Sequence, residues 1–156
     1  MPAGSAIESR LALAVFDRGV PAGCTTLGCV FWVDCNYFYL TSGCLVLYTQ
    51  KTWNLETGQP MHEESGYWRL CGPSPNHVEV MIVHAFGVAE VAEGMIEGTH
   101  IELVSTAVSM TSTAKTVSAL GRSLAVDGDM LHYRLRMSAV GLPAHHHLCA
   151  DLQRTP

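Results

Sequence analysis

The chain has 156 residues, of which 48% are hydrophobic and 15% charged, and its formal net charge is −5. This length suits one domain with a substantial core, and the composition argues against intrinsic disorder. Because the charge is negative and no run of lysine and arginine is present, nucleic-acid binding through a basic face is not expected.

The first 44 residues are the least regular part of the sequence. Their β-branched and aromatic content predicts short strands at residues 30–33 and 37–40. The apolar run over residues 11–16 is too short for the core of a signal peptide. Asp34 argues against a transmembrane helix over residues 24–48, because a charge inside a membrane span is expensive.

Six cysteines are present, and their spacing matches no Cys-x-x-Cys zinc or redox motif. Without an export signal, we expect reduced, partly buried thiols and a cytoplasmic location.

From residue 45 onward, β-strands follow one another at hairpin spacing. The strands are predicted at residues 45–53, 61–70, 78–86, 100–109, 113–124, 130–138 and 148–152, and Gly87 is expected to bend the third of them, which continues over residues 88–93. Turns are predicted around Gly58 and Pro60, at residues 72–76 and 94–98, and at Asp127-Gly128, which is a strong hairpin signal. No amphipathic helix interrupts the series.

Such a meander predicts an all-β fold, and an antiparallel up-and-down β-barrel is favoured because closure removes the exposed edge strands. A β-sandwich remains an alternative at this point. A barrel of eight or more strands can hold a ligand inside.

Few residues carry recognisable chemistry. Glu63 and Glu64 point to opposite faces of one strand, so they are predicted to be solvated rather than a catalytic carboxylate pair. Neither a Gly-x-Ser-x-Gly motif nor a glycine-rich nucleotide-binding motif is present. His77 and His132 are expected to be solvated, whereas His84 follows an apolar run and is expected to pack in the core, with contact to a pocket as the alternative.

The tail carries three consecutive histidines after a strictly alternating strand. Counting by alternation places His145 and His147 on one face and His146 on the other. Two such histidines could contribute to a zinc site, but the spacing supplies no third ligand. A polar loop is the alternative interpretation of the triplet.

Residues 45–154 resemble the nitrobindin family of heme-binding β-barrels, which also occur as a domain associated with THAP domains. The segments that carry the resemblance are Tyr48-Thr-Gln-Lys-Thr-Trp53, Gly58-Gln-Pro-Met-His-Glu-Glu-Ser-Gly-Tyr-Trp-Arg69, Glu90-Val-Ala-Glu-Gly94, Thr113-Ala-Lys115 and Met137-Ser-Ala-Val-Gly-Leu-Pro-Ala-His-His-His-Leu-Cys-Ala-Asp-Leu-Gln-Arg154. The resemblance implies a nitrobindin- or lipocalin-like (calycin-like) barrel that binds heme b. It implies His147 as the axial ligand of the iron and Lys115 as a residue near the heme edge.

The start of the chain departs from the family pattern, because its opening Gly-x-Trp-x-Gly-x-Gly motif is absent. We therefore divide the chain into an atypical segment, residues 1–44, and a nitrobindin-like barrel, residues 45–155. The barrel is either incomplete at its N-terminus or completed by substitute strands from residues 1–44.

The resemblance implies a heme-dependent enzyme that isomerises peroxynitrite to nitrate and binds nitric oxide at ferric heme. Val80, Ile82, Leu135 and Met137 are expected to form apolar cavity walls. The partners would be small molecules rather than a membrane, with a homodimer left open. The alternatives are a non-enzymatic carrier of an apolar ligand, like the fatty-acid-binding proteins, and an inactive truncated form.

Overall fold

A computed structural model describes residues 16–17, 27–34, 45–54, 57, 59–70, 73–74 and 76–154. The described residues form ten β-strands and no α-helix. The strands are β1 (Phe16–Asp17), β2 (Leu27–Asp34), β3 (Leu45–Asn54), β4 (Pro60–Arg69), β5 (His77–His84), β6 (Val88–Glu97), β7 (His100–Met110), β8 (Val117–Asp127), β9 (Met130–Ala139) and β10 (His145–Arg154). Within these ranges, no helix is long and apolar enough to cross a membrane.

The strands form a closed barrel in which every pair is antiparallel and every strand from β2 to β10 lies beside its neighbour in sequence. The two-residue strand β1 closes the ring, because Phe16 pairs with both Phe31 of β2 and Arg154 of β10. The predicted up-and-down β-barrel is confirmed. The Asp127-Gly128 hairpin is also confirmed, and Gly128 has the positive φ of 57° that this tight turn requires.

Alternating side chains fill the interior of the barrel. In β9, Leu131, Tyr133, Leu135 and Met137 are buried, as the period of two predicts, whereas the side chains between them are partly or fully exposed. Among the side chains that the structure describes, β3, β5 and β8 show a similar alternation, and the buried apolar residues form one continuous core.

Several strand boundaries differ from the sequence prediction, and the predicted strand at residues 37–40 lies outside the described residues. Gly87 was expected to bend one strand, but it lies in the turn between β5 and β6. β10 begins at His145 rather than at residue 148. β8 begins at Val117 rather than at residue 113. β6 continues through Gly94 to Glu97, and the turn lies at Gly98. The turn predicted within residues 94–98 therefore lies at the end of that range, and Gly94 is a strand glycine that permits close approach of β7: a Cβ there would lie 1.7 Å from the carbonyl oxygen of Glu102.

This close approach makes Gly94→Ala a destabilising substitution. The added methyl group must push β6 and β7 apart, so we expect the free energy of unfolding to fall by about 1–3 kcal/mol. Gly121→Ala is the matched control. A Cβ at this strand glycine would lie 3.6 Å from its nearest neighbouring atom, the Leu103 carbonyl oxygen, which is an ordinary contact distance. Urea unfolding of the two variants checks this, and equal stabilities would contradict it.

Cys149 of β10 is disulfide-bonded, so the expectation of reduced thiols is wrong for this residue. Its partner is not among the side chains that the structure describes.

Candidate functional site

A cavity of about 520 Å³ lies between β3, β4, β8, β9 and β10 and the turns that follow β5 and β7. This volume is within the range of ordinary small-molecule and cofactor sites. The cavity is lined by Thr52, Met61, His62, Phe86, Thr113, Ala114, Lys115, Val117, Met137, Ala139, His147 and Leu148. Most of these side chains are apolar, and the polar ones include two imidazoles and one ammonium group.

His147 reaches the cavity because of a β-bulge. The register between β9 and β10 pairs His146 with Arg136 and then Leu148 with Leu135, which leaves His147 as the extra residue. Strict alternation from the buried Leu148 would point His147 outward, but both side chains line the cavity. A bulge turns a side chain to a new direction in this way and is common beside functional sites.

The structure separates the three tail histidines. His147 lines the cavity, whereas His146 lines a different groove together with Arg134 and Arg136. His145 is exposed, and its Nδ1 lies 3.1 Å from the carbonyl oxygen of Pro143. The register agrees with the predicted faces, since His145 pairs with the inward-facing Met137 and His146 with the outward-facing Arg136, but of the three histidines only His147 lines the cavity.

The second predicted site residue, Lys115, also lines the cavity and is exposed. Its ammonium group forms no ion pair with any residue that the structure describes. Of the predicted wall residues, Met137 lines the cavity, whereas the prediction is wrong for Val80, Ile82 and Leu135. Those three side chains are almost fully buried in the barrel core, beyond the reach of the cavity surface.

The surroundings of His147 favour its neutral form. Burial lowers the pKa of the imidazole, and the neighbouring His62 and His145 lower it further by charge repulsion. The rings of His62 and His147 meet edge to face, with 6.5 Å between their centroids. A neutral imidazole is the form that binds a metal.

Beneath the cavity lies a buried polar group that we call the histidine–glutamate cluster, composed of His62, Glu64, His84, Glu90 and Arg122. The Arg122 guanidinium donates to Glu90 and to both oxygens of Glu64, at 3.3 and 3.2 Å. His84 Nδ1 lies 3.0 Å from Glu64 Oε2, and His62 Nε2 lies 3.2 Å from the same oxygen. Only His62 also lines the cavity.

Two buried tyrosines extend this cluster. The Tyr48 hydroxyl donates to Glu64 Oε1 at 2.5 Å, and Arg122 Nε donates to the Tyr133 hydroxyl at 3.2 Å. Burial raises the pKa of both tyrosines, and the negative charge of Glu64 raises it further. Both phenols therefore stay protonated.

The cluster is an ion network rather than a set of neutral groups. Burial alone would raise the pKa of Glu64, but Arg122 and the two histidines hold it well below its usual range. Burial alone would lower the pKa of His84, but its contact with Glu64 and the nearby carboxylate of Glu90 raise it. Two carboxylates face one guanidinium here, and the raised pKa of His84 favours a second positive charge between them.

The histidine–glutamate cluster was not predicted from the sequence. Glu64 was predicted to be solvated with Glu63, and this is wrong for Glu64, which is almost fully buried, while Glu63 is exposed and pairs with Lys51. His84 packs in the core as expected and does not line the cavity. His132 is partly exposed and pairs with Asp151, and His77 is partly buried.

Comparisons with known proteins agree with this geometry. Residues 37–154 match the model of a family described as THAP4-like, heme-binding β-barrel domain. The chain is 46% identical over 113 residues to peroxynitrite isomerase 2 of Mycobacterium ulcerans (strain Agy99), a match that covers 70% of this chain and 69% of that protein. It is 42% identical over 111 residues to the peroxynitrite isomerase of Mycobacterium leprae (strain TN), covering 69% and 68%.

A solved structure is also similar. The crystal structure of Rv2717c from M. tuberculosis superimposes with a TM-score of 0.72 at 34% sequence identity, covering 83% of this chain and 81% of that one.

Proposed function

Because the chain belongs to the family of THAP4-like heme-binding β-barrel domains, we propose that it holds heme b in the cavity and isomerises peroxynitrite to nitrate. The single observation that best supports this is the position of His147, which a β-bulge directs into an apolar cavity. The tail that contains His147 is also the segment in which the family resemblance places the axial ligand.

The residues of the cavity fit heme b by size, polarity and donor type. The volume of about 520 Å³ and the largely apolar lining suit a flat hydrophobic macrocycle. The imidazole of His147 forms no hydrogen bond with any described residue, and its lowered pKa keeps it neutral. A single neutral imidazole is a common axial ligand of heme iron.

We assign two residues to the cofactor. His147 would hold the iron through one ring nitrogen, and Lys115 at the cavity surface would attract a carboxylate on the heme edge. Because Lys115 is exposed, its contribution to affinity is small, as for other surface ion pairs. Met61, Phe86 and Met137 would pack on the macrocycle and exclude water.

The chemistry that heme supplies when bound is a ferric Lewis acid with one open coordination position, which suits rearrangement of the peroxynitrite O–O bond. The chain itself holds the cofactor, keeps His147 neutral and surrounds the site with apolar groups that limit side reactions with water. Isomerisation to nitrate needs no net electron transfer, so no redox partner is required. The same site would admit nitric oxide, which is small and uncharged.

We further propose that residues 1–44 complete the barrel in place of the family's usual opening strands. This proposal is supported by the pairing of β1 with β10 and of β2 with β3, which brings strands from residues 1–44 into the ring.

The apolar-carrier alternative is less well supported. A fatty-acid carrier would need an arginine or tyrosine available to the ligand carboxylate. Arg122 and Tyr133 are buried inside the barrel, but the guanidinium is already paired with two carboxylates and does not line the cavity.

The test is a rapid-mixing measurement with the ferric, heme-loaded chain. We expect peroxynitrite to decay faster than in buffer or with the heme-free chain, and nitrate to account for the additional decay. Nitration of an added phenol should fall in parallel. Decay at the buffer rate, or unchanged phenol nitration in a chain that has bound heme, would contradict the proposed activity.

A further inference from the structure

Three potential metal-ligand atoms of the histidine–glutamate cluster form a compact triangle. His62 Nε2 lies 3.2 Å from Glu64 Oε2, His84 Nδ1 lies 3.0 Å from the same oxygen, and the two nitrogens are 3.4 Å apart. Both imidazole nitrogens therefore converge on one carboxylate oxygen.

The triangle has the dimensions of a metal site. Divalent first-row metals bind histidine nitrogen and carboxylate oxygen at about 2.0–2.2 Å. At such bond lengths, ligands that are about 90–110° apart around the metal are separated by about 3.0–3.4 Å. The three separations between the ligand atoms, 3.0, 3.2 and 3.4 Å, all lie within this range.

The group behind His84 completes the expected outer shell. A metal-binding histidine commonly donates its second ring N–H to a carboxylate, which orients the ring. His84 Nε2 points toward Glu90 Oε1 at 3.7 Å and has no hydrogen-bond partner among the described residues. Glu90 is itself held by Arg122, so the acceptor is fixed in place.

Charge and access also favour a cation here. Glu64 supplies an anionic ligand oxygen, and Glu90 lies beside His84 as a second carboxylate. Glu64 and His84 are buried, but the side chain of His62 is 14% exposed and lines the cavity, which gives an entry path. The Phe86 ring packs against both imidazoles, with centroid distances of 5.1 and 5.0 Å, and restricts their rotation.

We propose that His62, Glu64 and His84 bind one divalent first-row transition-metal cation, as a site of two histidines and one carboxylate. This site is separate from the axial position at His147, which is not one of the three ligands. It would place a second metal centre at the base of the same cavity.

Calorimetric titration of the full chain with Zn²⁺, after removal of bound metal, tests the site. We expect one saturable ion per chain. Glu90→Gln, which removes no ligand but changes the group behind His84, should weaken binding by about 10- to 100-fold. His62→Ala and Glu64→Gln should weaken it at least as much, since each removes a ligand. His62→Ala keeps the experiment interpretable if Glu64→Gln fails to fold, because His62 lies at the cavity surface.

The matched control is the double variant His145→Ala/His146→Ala, which removes the exposed tail imidazoles and leaves the cluster intact. Zinc binding should be unchanged in this variant. Loss of the tight site in the control, its retention in folded His62→Ala and Glu90→Gln, or the absence of saturable binding in the native sequence would each overturn the proposed site.

Discussion

His147→Ala is expected to abolish stoichiometric heme binding. The substitution removes the only imidazole that the tail directs into the cavity, so the affinity for hemin should fall by at least ~100-fold, more than the loss of an outer-shell partner produces. The Soret band that appears on titration of the native chain should be lost. Because His147 is exposed on its other side, circular dichroism should show a folded barrel.

The two neighbouring histidines provide matched controls for this experiment. His145→Ala and His146→Ala remove the same side chain from the same strand, but neither residue lines the cavity. Both variants should titrate with hemin like the native chain. Retention of an unchanged Soret band in His147→Ala, or its loss in His145→Ala, would contradict the assignment of His147.

Arg122→Met is expected to be the most destabilising single substitution in the histidine–glutamate cluster. It leaves the carboxylates of Glu64 and Glu90 buried without their cation, which costs about 3–5 kcal/mol of unfolding free energy. Chemical denaturation followed by circular dichroism measures this loss. Adding Glu64→Gln and Glu90→Gln to Arg122→Met should recover part of it, because no unpaired carboxylate remains.

The control for Arg122 is Arg69→Met, which breaks the exposed ion pair with Glu79. An exposed pair contributes at most about 1 kcal/mol, so this variant should stay near native stability. If Arg122→Met costs no more than Arg69→Met, the cluster does not stabilise the barrel through its charges.

Much of the fold was predictable because its determinants are local. Alternating side chains, as in β9, and turn residues such as Gly128 mark strands and hairpins within a few residues. Antiparallel closure then follows from the need to remove edge strands. The role of Gly94 could not be predicted, because it depends on the approach of β7, a contact between strands that a local pattern does not contain.

The site was predictable only in part. Family resemblance identified His147 and Lys115, and both line the cavity. Alternation could not reveal the bulge that turns His147 inward, because one unpaired residue reverses the face of every residue before it. The bulge became visible only when the register of β10 against β9 was known.

The histidine–glutamate cluster was hidden for a different reason. Its members lie on four strands, and Glu64 and Arg122 are 58 positions apart in sequence. One signal was present in β4, where alternation places Glu64 on the same face as the buried Trp68. A carboxylate on the inward face of a strand requires a buried partner, so this alternation predicts an inward-facing cation such as an arginine.

The most direct test is the iron–histidine stretching vibration of the ferrous, heme-loaded chain, measured by resonance Raman spectroscopy with unlabelled and ¹⁵N-labelled histidine. If His147 holds the iron, a low-frequency band should shift on labelling and should persist in His62→Ala, His145→Ala and His146→Ala. A heme-loaded chain without an isotope-sensitive band, or one whose band disappears in His62→Ala instead, would contradict the central claim that His147 holds heme in this cavity.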